Sequence, residues 1–190
     1  MSPFAMVLGL VFLTEAQRPQ MTVVWCDQMN IDAMEWKIAK AESTRIFSEA
    51  GVNLQWFETD RSRKDCRIPA GLSRPFVVVL TPQSPEGWTR PDAMGFSPEH
   101  TGRTYIFYNL VKRFIASFNV PRTEKEAIGT VVGIAIVHEL GHALIPGDAH
   151  GPGIMEANWT YAEWHQALAG TLLFNIDHAR AIREVLSREP

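Results

Sequence analysis

The run HELGHALIPGDAHGPGIM, from His138 to Met155, carries three of the chain's six histidines. His138 and His142 are four residues apart. On a helix this spacing leaves the two side chains about 40° apart in direction and their Cα atoms about 6 Å apart, so two imidazoles can converge on one ion. Glu139 leaves the same helix about 100° round from His138, close enough to reach a water at such an ion without displacing a ligand. Two neutral imidazoles suit zinc, and a neighbouring carboxylate can take the proton of a water whose pKa the metal lowers to about 7. Two histidines and a glutamate on an apolar helix are costly to desolvate unless something compensates them. A cation would.

A zinc ion that does chemistry keeps three protein ligands and one open position. The helix is expected to stop at Pro146 and Gly147, and the glycine lets the chain turn sharply enough to bring a third side chain back. Gly147 to His150 then reads as turn and ligand, with His150 the third member of the set.

The stretch resembles the metzincin zinc metalloproteases, whose signature is HExxHxxGxxH followed by a methionine-containing turn beneath the metal. His138, Glu139, His142, Gly147, His150 and Met155 match those roles in order. Two additional residues separate His142 from the glycine, and Met155 follows His150 by only five positions. Counted without the insertion, Asp148 stands at the third-ligand position and Ile145 at the glycine's, so Asp148 is the alternative to His150. The chain is also similar to a group of small exported bacterial proteins with HELGH, a histidine eight residues on, Gly-Ile-Met and a tryptophan. Here these are His138 to His142, His150, Gly153 to Met155 and Trp159, with a looser similarity at Ala41, Arg45 to Phe47, Ala50 to Val52 and Trp56.

The resemblance implies an α+β, metzincin-like fold: a mixed twisted sheet over a buried active-site helix, with a small helical C-terminal subdomain. It implies one catalytic Zn2+, with Glu139 as general base and Met155 as the hydrophobic floor of the site. It also implies an edge strand bordering the cleft, to which a peptide could add as a further strand. Ala93 to Phe96 are the candidates for that border, and plain loop is the other reading. In some metzincins a tyrosine two residues after the methionine stabilises the oxyanion. That position is Ala157 here, which leaves Tyr161 as an oxyanion candidate or as a surface residue in the first turn of a helix.

The elements that must position these residues are legible in outline. Met21 to Cys26 is β-branched and aromatic and reads as a first strand. A helix capped by Asp32 follows, with Met34, Ile38, Ala41, Arg45 and Ile46 at helical spacing and Gly51 closing it. Val52 to Glu58 alternates as a half-buried strand, and Phe76 to Leu80 is apolar throughout, as a strand buried on both faces would be. The Pro-, Gly- and Ser-rich stretch after Thr81 is loop, long enough to invite a functional reading. Arg103 to Leu110 reads as a strand, followed by a short amphipathic helix to about Phe118. Thr123 and Glu126 form a capping box for the helix of the HELGH run, which is apolar nearly all round. Thr160 with Glu163 caps a short helix ending at Gly170, and Asn175 caps a last one running to about Ser187.

The chain has 190 residues, 46% hydrophobic and 21% charged, in the ordinary globular range. Its formal net charge of −3 supplies no electrostatic footprint for nucleic acid. The basic cluster Arg61 to Asp65 reads as a solvated loop. Phe4 to Leu13 is apolar and is followed by Thr14 and Ala16 at signal-peptidase spacing. Residues 1–16 therefore read as a signal peptide, or alternatively as a first strand. Residues 17–190 read as one domain: 17–146 for the sheet and active-site helix, 147–190 for the third ligand, Met-turn and C-terminal helices. The apolar run is far short of the roughly 20 residues that span a membrane, so export is expected, secreted or periplasmic, without stable membrane insertion. Cys26 and Cys66 are the only cysteines. They could form one disulfide or stay unpaired.

His100, His165 and His178 read as surface or packing residues, and Trp159 as packing beneath the turn. Ser97 lacks the strand-turn-helix setting of a nucleophile elbow. The expected activity is zinc-dependent hydrolysis of peptide or protein substrates. The alternatives are a zinc amidase acting on small molecules, and a non-catalytic module stapled by zinc, which would need a fourth protein ligand.

Overall fold

The computed structural model describes residues 18–59, 66–86, 88–90, 93–99, 101–118, 123–147 and 149–188. The leader expected at 1–16, the loop expected from Arg61 to Asp65, His100 and Asp148 lie outside the described residues.

Five strands and five helices make an α+β fold: β1 (Gln20–Asp27), α1 (Ala33–Glu49), β2 (Asn53–Glu58), β3 (Phe76–Thr81), β4 (Gly95–Phe96), β5 (Arg103–Phe107), α2 (Tyr108–Ala116), α3 (Glu124–Leu144), α4 (Tyr161–Leu168) and α5 (Ile176–Arg188). The strands form one mixed sheet in the order β2-β1-β3-β5-β4, parallel except for β4, which runs antiparallel to β5. β4 is the edge.

The period-two alternation of β1 and β3 divides the core. Val23, Trp25, Val78 and Leu80 join Ile106 of β5 in packing against the helices, while Val24, Cys26, Val77 and Val79 form a smaller cluster on the opposite face with Leu72 and Tyr105. β3 is thus buried on both faces, as its unbroken apolar run requires. Cys66 and Leu72, which precede β3, pack on that second face. Cys66 is disulfide-bonded to Cys26 of β1, with their Cα atoms 5.4 Å apart.

On the helical face, Trp36 of α1 stacks on Trp25 of β1 at 4.2 Å between ring centroids and meets Trp56 of β2 edge-on at 5.2 Å. α3 packs chiefly against α1, and two glycines permit the approach. A Cβ on Gly129 would lie 2.7 Å from the Glu35 carbonyl oxygen, and one on Gly133 would lie 2.8 Å from that of Ala39. Ser43 of α1 then donates to the Gly133 carbonyl at 3.0 Å. α3 is apolar and long enough to cross a membrane by composition alone, but here it is the buried core helix.

Two expectations need correction. The strand expected over Arg103 to Leu110 ends at Phe107, because Tyr108, Asn109 and Leu110 open α2. The Asn109 N–H donates to the Pro82 carbonyl and the Tyr108 hydroxyl donates to the buried Glu35 carboxylate at 2.9 Å, contacts that turn the chain away from the sheet. Burial, reinforced by that bond, raises the pKa of Tyr108. The buried face of α1 is also displaced from Met34, which is exposed, to Trp36, Ala39, Ser43, Ile46 and Phe47. The Trp25–Trp36 stack sets that rotation.

Candidate metal centre

The capping box at Thr123 and Glu126 starts α3, and the last two turns of the helix carry His138, Glu139 and His142. Beyond the helix Gly147 adopts φ +76°, a left-handed conformation that glycine takes without strain, and the chain turns back. His150 thereby joins His138 and His142: one imidazole nitrogen from each lies within 4.8 Å of the others. His138 and His142 are half-buried and His150 is exposed.

The protonation of His138 follows from its partner. Its Nδ1 lies 2.7 Å from the Ile154 carbonyl oxygen. A carbonyl only accepts, so Nδ1 carries the proton and Nε2 presents its lone pair, which is the outer-shell arrangement of a metal-binding histidine. Burial holds this imidazole below its ordinary pKa, helped by the charge on His150 and opposed by the bond to Ile154. The His142 Nε2 lies 3.1 Å from the His138 Nε2. Two nitrogens bound to one tetrahedral zinc would be about 3.3 Å apart, given Zn–N distances of about 2.05 Å. The donor set, its tautomer and the spacing of its first pair all fit zinc.

Residues 150–155 are bound to the segment before α5. The Ile154 N–H donates to the Leu173 carbonyl at 2.9 Å, Gly153 forms a β-bridge with Phe174, and the Gly151 N–H donates to the Met155 carbonyl. Gly153 has φ +88° and lies directly against the Leu173 carbonyl, so it admits no side chain. The Asn175 side chain accepts from the His178 N–H at 2.8 Å, capping α5, and the His178 ring fills the space beside Gly151. Met155 is fully buried, and its sulfur occupies the space that a Cβ on Gly141 would need. Met155 thus packs against the helix that carries His138 and His142.

Glu139 is also buried, 8% exposed, under the edge strand. A Cβ on Gly95 of β4 would lie 2.6 Å from its Cγ and 2.8 Å from its Oε1. The Ser97 hydroxyl donates to the Glu139 carbonyl at 2.7 Å and lies 2.9 Å from the Thr104 hydroxyl, tying the end of β4 to both α3 and β5. Burial pushes the Glu139 carboxyl up to about 8, against the smaller opposing effects of the Ser97 hydroxyl and the Arg90 charge.

The other expected residues sort clearly. Ala93 to Phe96 includes the edge strand, at Gly95 and Phe96, and it covers Glu139. Trp159 is half-buried and meets the His138 ring edge-on at 5.5 Å, with its indole N–H buried and unpartnered. Tyr161 is 60% exposed, its ring against His165 at 4.1 Å and Phe118 at 6.0 Å rather than against the three histidines. His165 is exposed on α4. Gly95, Gly141, Ser97, Thr104 and the Ile154 carbonyl have places at this centre that their residue types do not announce. Gly141 and Ile154 lie inside the HELGH and Gly-Ile-Met runs and Gly95 inside Ala93 to Phe96, whereas Ser97 and Thr104 lie in none of these runs.

No protein-family model matches this chain, and no curated protein or solved structure matches it significantly.

Proposed function

We propose that this chain is a zinc-dependent peptidase of metzincin-like design, exported from the cell. The observation that carries the reading is the convergence of His138, His142 and His150 within 4.8 Å, with the carboxylate of Glu139, the residue after His138, buried beneath a sheet edge. When bound, zinc supplies a Lewis acid that acidifies water and polarises a carbonyl. The chain's own residues do the rest. His138, fixed by Ile154, and His142 orient the pair of ligands on the helix, and His150 closes the set. Glu139, in its ionised form, would take the proton of the attacking water on a carboxylate oxygen and return it to the leaving amine. The side of β4 that no described strand covers would offer backbone groups to an extended substrate, which favours peptides over small amides.

A zinc staple is less well supported, because a structural site has no use for the buried carboxylate that follows His138 on the helix. The Cys26–Cys66 disulfide supports an oxidising compartment, in keeping with export.

The reading is tested by digesting a diverse peptide pool with zinc-loaded wild type and zinc-loaded Glu139→Gln, with cleavage read by mass spectrometry. Cuts made by the wild type alone support it. Equal cutting by both, or cutting by neither while both hold zinc, refutes it.

A further inference from the structure

The loop leading into β4 is fastened to the sheet edge. Trp88 packs 4.6 Å from Phe96 and 5.9 Å from Phe107, and its indole N–H donates to the Arg90 carbonyl at 2.7 Å. The Ala93 N–H donates to the same carbonyl at 3.3 Å, and Gly95, two residues on, lies on Glu139. Arg90 is therefore held at the lip of the strand that covers the candidate catalytic carboxylate. Its backbone makes these bonds, while its side chain is exposed and pairs with no carboxylate among the described residues.

We propose that Arg90 is a substrate-recognition residue, binding a carboxylate carried by a peptide laid along β4. The inference rests on the peptidase reading above and names its substrate class. A guanidinium binds a carboxylate through two parallel hydrogen bonds, with a directionality that lysine lacks. The chain as a whole is acidic, at −3, so a preference for acidic peptides would have to come from a local cation at the cleft. The carboxylate comes either from an Asp or Glu side chain or from the peptide's own C-terminus.

The test uses matched fluorescent peptides that carry Glu or Gln at one position and end in a free acid or an amide. Binding is measured by anisotropy to zinc-loaded Glu139→Gln, with and without Arg90→Gln or Arg90→Lys, and cleavage is measured with wild type. A carboxylate at the recognised position should tighten binding roughly tenfold or more. Arg90→Gln should remove that preference, Arg90→Lys should keep part of it, and added salt should narrow it. The arm that shows the preference identifies the source of the carboxylate.

A preference that survives Arg90→Gln, or equal binding of acid and neutral peptides, overturns the proposal. Charge-selective binding without cleavage by wild type upholds the carboxylate site and sinks the peptidase reading. Cleavage without charge selectivity does the reverse, and absence of any peptide binding overturns both.

Discussion

Gly95 and Glu139 share one small volume: the space a Cβ on Gly95 would take lies 2.6 Å from the Cγ of Glu139, on a helix more than forty positions further along the chain. The edge strand and the HELGH helix are thereby fitted to each other at the carboxylate itself. Gly95→Ala must displace either the strand or the glutamate. Overpacking of this kind costs about 1–3 kcal/mol. We expect a lower Tm and a fall in kcat of at least tenfold, with zinc stoichiometry unchanged. Unaltered kcat in a folded Gly95→Ala protein would show that the position of Glu139 does not matter.

Gly141 and Met155 make a second such fit, on the opposite side of the helix end. Gly141→Ala should force Met155 out of its place, lowering stability by about 1–3 kcal/mol and weakening zinc binding through the turn that carries the Ile154 carbonyl. Met155→Leu conserves volume and should cost less than about 1.5 kcal/mol. Denaturant titration and competition with a chromophoric chelator would separate the two effects. Equal behaviour of the two variants would argue against the close packing of Met155 on Gly141.

The disulfide has a different role. It joins residues 40 apart in sequence, and chain-entropy arithmetic for a loop of that size gives about 4 kcal/mol of stabilisation. It lies in the apolar cluster on the sheet face opposite the helices. Replacing both cysteines with serine should lower stability by a few kcal/mol yet leave zinc affinity unchanged in the folded protein. A large loss of zinc affinity would mean that the two faces are coupled.

Glu139 sets a pH dependence in the metal-free protein. Its folded pKa is raised to about 8 from a reference of 4.5, so the folded state holds a proton that the unfolded chain releases. The group's contribution is fully present below about pH 4.5 and is lost as pH rises through 8. Metal-free wild type should therefore lose stability relative to Glu139→Gln between pH 5 and 8, since the amide does not ionise. Parallel stability curves for the two proteins would show that the carboxyl is not desolvated.

What the sequence disclosed was mostly local. The capping boxes at Thr123 and Thr160, the glycine turn at 147 and the apolar run of β3 each declare themselves within a few residues, and all are found in the structure. The histidine spacing was legible for the same reason. Less legible was anything set by contact across the fold. Tyr108 and Leu110 have side chains that suit a strand, but the bond from Tyr108 to Glu35 belongs to a helix. Met34 has the right spacing for a core position and faces solvent, because Trp36 is held by Trp25 from another element. Gly95, Ser97 and Arg90 belong to a Pro-, Gly- and Ser-rich stretch without periodicity, in which Ala93 to Phe96 read equally as edge strand or loop. Their relation to Glu139 exists only once β4 has paired with β5.

If His138, His142 and His150 hold one zinc and leave a position open for solvent, an anomalous-scattering map of zinc-loaded crystals will show it. One peak is expected within about 2.0–2.1 Å of a nitrogen of each histidine, with a fourth position filled by solvent and Glu139 outside bonding distance. A peak with four protein ligands, with Glu139 or Asp148 among them, or no peak at the three histidines, would contradict it.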